Sequence, residues 1–175
     1  FGEHMSDAVA DRVQAAIGHV RRQFAGTLID LIPSYASLLV IYDIPQIGPE
    51  QFHAQLEACL AQSPPKAGAG LGRKVTLPVY YAPEAGPDLA ALAAAKGLPQ
   101  EEIIRLHHAP EYRVYAIGFA PGFAFLGEVD ERLASPRLAT PRAKVPRGSV
   151  GIAERQTAVY PSETPGGWNL IGRCP

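Results

Sequence analysis

Proline or glycine interrupts every apolar run after Tyr112, and no helical spacing of apolar residues survives from there to Pro175. Proline fixes φ and removes a backbone donor, while glycine opens the left-handed region. Chain of this kind is restricted to short strands joined by tight turns. Residues 114–119, 150–152, 157–160 and 168–171 are the strands this pattern predicts, in a barrel or sandwich. One stretch stands apart. GFAPGFAFLGEVD (118–130) threads Phe119, Phe123 and Phe125 through glycines and Pro121, with no charge before Glu128. A plain strand would not be broken there, and a plain loop would not carry three phenylalanines.

The first half follows different periods. Val9, Val13, Ile17, Val20 and Phe24 step by three or four, which predicts an amphipathic helix capped by Ser6 or Asp7 and stopped by Gly26. Residues 27–32 and 37–42 are strand formers separated by Pro33 and Ser34. A second helix starts after Gly48 with Pro49 in its first turn and Phe52, Leu56, Cys59 and Leu60 on its apolar face. Residues 63–72 (SPPKAGAGLG) read as a linker, and 74–81 as a further strand. With Phe1 as the tail of a preceding strand, the order is β-α-β-β-α-β, a ferredoxin-like arrangement. The expected domains are therefore 1–82 and 83–175. Two short helices, 87–96 and 99–107, open the second one, and the fold class is α+β.

The net charge of −1 argues against a nucleic-acid binder, and no apolar stretch is long enough to span a bilayer. The chain carries two cysteines, Cys59 and Cys174, which lie far apart and form no CxxC pair. The expected compartment is intracellular and reducing, hence cytoplasmic.

Candidate chemistry is sparse. Gly68, Gly70 and Gly72 precede Arg73-Lys74, but the spacing fits neither a P-loop nor a dinucleotide fingerprint. His107 and His108 end a helix containing Glu101 and Glu102 without the i, i+4 spacing of a metal site, so no metal is expected. Residues 136–151 (PRLATPRAKVPRGSVG) place Arg137, Arg142, Lys144 and Arg147 among prolines, as a stiffened cationic loop. Such a loop suits a carboxylate or phosphate, with Gln156 and Thr157 as neighbouring hydrogen-bond donors. Trp168 follows a Pro-Gly-Gly turn. On residues alone, an anion site and a protein interface both remain open.

The run from GFAPGFAFLG through RLASPRLATPRAKVPRGSVGIAERQTAVYPSETPGGWNLIGRCP resembles the central signature of the allophanate hydrolase subunit 1 family. That family includes KipI-type kinase inhibitors and the B subunit of bacterial 5-oxoprolinase. The preceding stretch also fits, at Leu106, His107, Glu111, Tyr112, Val114, Tyr115 and Ile117. Departures include Ala158 in place of glycine, Glu128 in place of a second glycine, and Cys174 in place of threonine.

The resemblance implies a ferredoxin-like domain followed by a cyclophilin-like β-barrel, without implying prolyl isomerase activity. It also implies Phe1 as native sequence after a truncated strand, and further strands beyond Pro175. The implied function is ATP-dependent opening of a cyclic amide, 5-oxoproline to glutamate, in a hetero-oligomer with ATP held mainly by a partner. The implied partners are the A and C subunits of that enzyme, the latter of the allophanate hydrolase subunit 2 (KipA-like) type. In that setting His107 is the candidate for proton transfer. Arg142, Lys144, Arg147, Gln156 and Thr157 are the candidates for anion or substrate binding. Phe119, Pro121, Phe123, Phe125, Tyr160 and Trp168 are the candidates for a groove or interface, with most of the phenylalanines in the core. The alternatives are inhibition of a sensor histidine kinase and a role in the urea and allophanate pathway.

Overall fold

A computed structural model describes residues 1–62 and 72–175. Most of the expected linker, including Gly68 and Gly70, lies outside the described residues. The chain divides into two compact units, 1–74 and 75–175.

In the first unit, helix α1 (Asp7–Gln23) begins where expected, with the Ser6 hydroxyl accepting from the Val9 amide at 3.3 Å. Its buried face is Val9, Ala10, Val13, Ala16 and Val20. Strands β1 (Leu28–Pro33) and β2 (Leu38–Tyr42) pair antiparallel, and α2 (Pro49–Ala61) follows. Alternation along the strands puts Leu31, Leu38, Val40 and Tyr42 into one cluster with Val20, Phe24, Phe52 and Cys59. Tyr42 stacks on Phe52 with ring centroids 3.7 Å apart.

The two outer strands of the six-element order do not form. Phe1 lies in irregular backbone, and residues 72–79 pair with no strand. Tyr80 instead makes an isolated bridge to Arg173, exchanging both backbone hydrogen bonds at 2.8 and 3.0 Å. The boundary expected after Ala82 therefore falls inside the second unit. Alternation of Val75, Leu77 and Val79 signals extended chain but says nothing of which strand it meets.

The second unit opens with α3 (Leu89–Lys96) and α4 (Gln100–His108). Five antiparallel strands follow in the order β3-β4-β7-β6-β9, where β3 is Arg113–Ile117, β4 Ala124–Gly127, β6 Ser149–Ala153, β7 Gln156–Val159 and β9 Asn169–Arg173. A two-stranded ribbon joins β5 (Arg142–Val145) to β8 (Thr164–Gly166). Part of the segment expected to be a rigid loop is thus a strand. Val145, wholly buried, gives it an inward anchor that the flanking prolines obscure in the sequence.

Every residue of β6 is buried, because both faces of the sheet are covered. Val150 and Ile152 pack with Leu89, Leu92, Ile103 and Leu106 of the helices and with Val129, Leu133 and Ile171. On the next step of the alternation, Ala153 joins Phe123, Val145, Ala158, Tyr160, Trp168 and Leu170 in an aromatic cluster. Gly86 permits a close approach: a Cβ there would run into the Ile171 backbone carbonyl of β9.

The GFAPGFAFLG stretch is the β3–β4 hairpin. Its turn closes with the Gly118 amide on the Phe123 carbonyl at 3.1 Å and the Phe123 amide on the Ala120 carbonyl at 3.0 Å. Gly122 supplies a φ of +80°. Phe123 then enters the cluster edge-on to Phe125, Tyr160 and Trp168, with centroids 4.9, 5.1 and 5.7 Å away. Phe125 is half-buried beside it, while Phe119 stays exposed. Replacing Phe123 with Ala should remove the centre of this cluster. We expect a loss of roughly 3–5 kcal/mol in urea unfolding, the range for truncating a buried aromatic.

Candidate functional site

Two expected site residues, fifty positions apart in sequence, meet inside the second unit. His107 projects from the last turn of α4 and is 5% exposed; Thr157 on β7 is buried as well. The Thr157 hydroxyl donates to the Gly151 carbonyl at 3.0 Å, so toward His107 Nε2, 2.8 Å away, it can only accept. Nε2 therefore carries the proton. Nδ1, left with its lone pair, accepts from the Tyr81 hydroxyl at 2.7 Å. The chain runs Tyr81 to His107 to Thr157 to Gly151 and ends on a carbonyl that has no proton to pass on. The Tyr112 hydroxyl donates to the His107 backbone carbonyl at 2.6 Å and closes the arrangement.

Burial sets the electrostatics. Enclosure, with a smaller contribution from the neighbouring His108, pushes the His107 imidazole down to about 4. Burial raises the Tyr81 phenol to about 12 and raises that of Tyr112 as well. All three groups are neutral near neutral pH, and each is hydrogen-bonded, as groups this enclosed must be.

The cationic residues divide. The Arg142 Nη2 donates to Asp88 Oδ1 at 2.6 Å, and its Nη1 reaches the Trp168 carbonyl at 3.5 Å. Asp88 Oδ2 accepts from the Leu170 amide at 2.7 Å, so one carboxylate joins the start of α3 to β5 and β9. Lys144 pairs with Glu163 at 3.1 Å on the exposed side of the ribbon. Arg147 is exposed, and its carbonyl accepts from Arg173 Nε at 3.0 Å. Arg137 lies over the Trp168 ring at 5.9 Å from its centroid. Arg137 and Arg142 thus gather around Trp168, whereas Lys144 and Glu163 form a separate exposed pair.

Of the aromatic candidates, Phe123, Phe125, Tyr160 and Trp168 form one cluster, with Pro121 and Phe119 at the exposed hairpin turn. The Tyr160 ring lies directly beneath Gly166, and a Cβ there would meet its hydroxyl. Gln156 begins β7 opposite Gly127 of β4 and Ala153 of β6. Ala158 has an ordinary strand backbone and buries its methyl in the aromatic cluster.

Sequence reasoning missed Tyr81, Asp88 and Tyr112. Asp88 sits at the N-cap position of α3 but makes no capping bond there. Its partners lie 54 and 82 residues away, beyond any local signal. Among the described residues, no group of three or more His, Cys, Asp or Glu side chains is arranged to hold a metal ion. Glu102 turns instead to Arg105 at 2.7 Å and Arg132 at 3.5 Å. Also among the described residues, no helix is long and apolar enough to cross a membrane.

With this geometry in place, comparison with known proteins decides the family. The carboxyltransferase domain family, subdomain C and D, matches residues 1–175. The chain belongs to it. A Bacillus subtilis protein named as the B subunit of 5-oxoprolinase is 42% identical over all of this chain and 77% of its own length. A protein of that name from Escherichia coli O157:H7 is 52% identical over 57% of this chain and 46% of its own length. Among solved structures, that of TTHA0988 superposes with a TM-score of 0.83 at 37% identity, over 99% of this chain. This chain spans only 33% of that one. The resemblance to the family containing the 5-oxoprolinase B subunit is therefore borne out, and the α+β class with it.

Two measurements check the site. His107 is neutral when folded and titrates near 6.5 when unfolded. Its contribution to stability is present above about pH 6.5 and is lost as pH falls toward 4, by roughly 3 kcal/mol in all. Urea titrations from pH 7.5 to 4 should show that decline, and His107→Gln should flatten it. Asp88→Asn, which weakens two charge-assisted hydrogen bonds, should cost about 2 kcal/mol at neutral pH.

Proposed function

We propose that this chain acts as the B subunit of an ATP-dependent 5-oxoprolinase, opening a cyclic amide to glutamate together with A and C subunits in the cytoplasm. The observation that carries this reading is that the Bacillus subtilis relative, matched along the whole of this chain, bears that name. The finer architecture belongs to the same proposal. The α-β-β-α unit is read as the centre of a ferredoxin-like domain, and the five-stranded sheet with its ribbon as a cyclophilin-like barrel.

An unstrained lactam resists hydrolysis at neutral pH, and ATP supplies the activation. Two of the candidate cations are already paired, Arg142 with Asp88 and Lys144 with Glu163. ATP is accordingly assigned to a partner in the assembly.

What this chain supplies in the proposal is a rigid cationic and aromatic wall. Arg137 and Arg147, exposed on the 136–148 segment, are placed to meet an anionic group such as the 5-oxoproline carboxylate. Arg142 holds the backbone that carries them. His107, with both ring nitrogens engaged, is a positioning residue that fixes β7, with Gln156 at its start, against α4. Thr157 is the hinge of that contact.

The test is ATP-dependent release of glutamate from 5-oxoproline, with the chain alone and mixed with its A- and C-subunit homologues. Turnover is expected only in the full mixture. Arg137→Ala and Arg147→Ala should raise KM for 5-oxoproline roughly tenfold each, with melting temperature unchanged. An assembled mixture with no turnover would remove this reading.

A further inference from the structure

Strand β3 is an edge of the five-stranded sheet, and its hairpin carries an apolar surface that the fold leaves open. Val114 is 48% exposed, Ile117 64% and Phe119 66%. From Val114 to Gly127 the chain contains no charged residue. Isolated exposed apolar side chains are ordinary, whereas a contiguous uncharged group of them marks a contact surface.

Phe119 adds a second and independent observation. Its φ is +69°, a conformation that bulky L-residues rarely adopt. Its ring meets Phe123 edge-on, with centroids 5.3 Å apart, yet stays largely exposed, while Phe123 fills the cluster beneath. Glycine would make the same turn without strain. The chain thus keeps an aromatic side chain mostly in solvent, with a single edge contact to Phe123, at a conformational cost. Backbone strain of this kind collects where a residue is held ready for a ligand or partner.

We propose that Val114, Ile117 and Phe119 form the surface on which a partner polypeptide docks, through an uncharged apolar face of its own. This rests on the reading of the chain as one member of a multi-protein enzyme, and it names where that assembly is joined. The occupant is a protein chain. In TTHA0988 the matched region makes up only 33% of one polypeptide, so this fold occurs joined to other protein of about twice its length. A membrane surface would call for basic residues around the apolar ones, and the patch has none within 114–127. The register shift between Val114 and Ala116 is a bulge, which blunts the edge against addition of another strand. Contact is therefore made by side chains, with Phe119 as the anchor.

The experiment titrates the full chain with its purified C-subunit homologue by calorimetry. Phe119→Gly should weaken association roughly tenfold or more, the scale of a buried aromatic anchor. Its melting temperature should change little, because relief of strain at φ +69° offsets loss of the edge contact with Phe123. Ile117→Ser should also weaken association. Ile29→Ser, an exposed apolar change in the 1–74 unit, should leave it unaltered. Affinity should change by less than about threefold between roughly 0.1 and 1 M salt, since no charge lies in the contact.

Unaltered affinity in both Phe119→Gly and Ile117→Ser overturns the docking surface while leaving the functional reading intact. A marked fall in the melting temperature of Phe119→Gly also overturns it, by making the ring structural. Failure of the unaltered chain to bind the C-subunit homologue overturns the functional reading, and this inference with it.

Discussion

A single hydroxyl hydrogen fixes the polarity of a buried polar chain in the second unit. Thr157 has one proton to give and gives it to Gly151, which forces His107 to donate and Tyr81 to donate in turn. Three elements distant in sequence are locked by that ordering: the segment before α3, the end of α4, and the β6–β7 hairpin. The reverse ordering would face the one Thr157 proton with two acceptors, at a cost of about 1–3 kcal/mol. The helical layer is thus registered on the sheet by directional bonds, beyond the apolar packing of Leu92, Ile103 and Ile152 that supplies most of the area.

A second such constraint ties the start of α3 to the ribbon and to the far edge of the sheet. Asp88 holds Arg142 with one oxygen and the Leu170 amide with the other. It fixes the ribbon strand β5 to the edge strand β9, beside Trp168. The cations nearest that ring, Arg137 above it and Arg142 at its carbonyl, are held by different means, one by the ring face and one by a carboxylate. The difference matters chemically. A guanidinium already satisfied by a carboxylate has little left for a ligand, whereas one resting on an aromatic face keeps its donors.

Much of this was legible in the sequence, and the limits are physical. The 3.6-residue period of Val9, Val13 and Val20 and the cap at Ser6 defined α1 because both signals are local. The proline and glycine punctuation after Tyr112 foretold short strands for the same reason. Two misreadings came from asking local signals for non-local answers. Alternation in 74–81 looks the same whichever strand it meets, and its one bridge, from Tyr80, goes to Arg173. Prolines in 136–151 hid Val145, whose burial makes β5 a strand. His107 and Thr157 were both singled out, but nothing in their spacing announced that they touch. Nor did Asp88, whose position resembles a helix cap, announce Arg142 as its partner.

The Tyr160 ring beneath Gly166 carries a consequence for how such chains diverge. The space a side chain would need at 166 is occupied by the tyrosine hydroxyl, so the two positions share one volume. A substitution at 166 becomes acceptable only after the aromatic below it has shrunk, and a smaller residue at 160 leaves a void unless 166 grows into it. Neither order of change is neutral by itself. The pair is held as a unit by simple occupancy of space, and it stays fixed even where the chemistry performed nearby is free to drift.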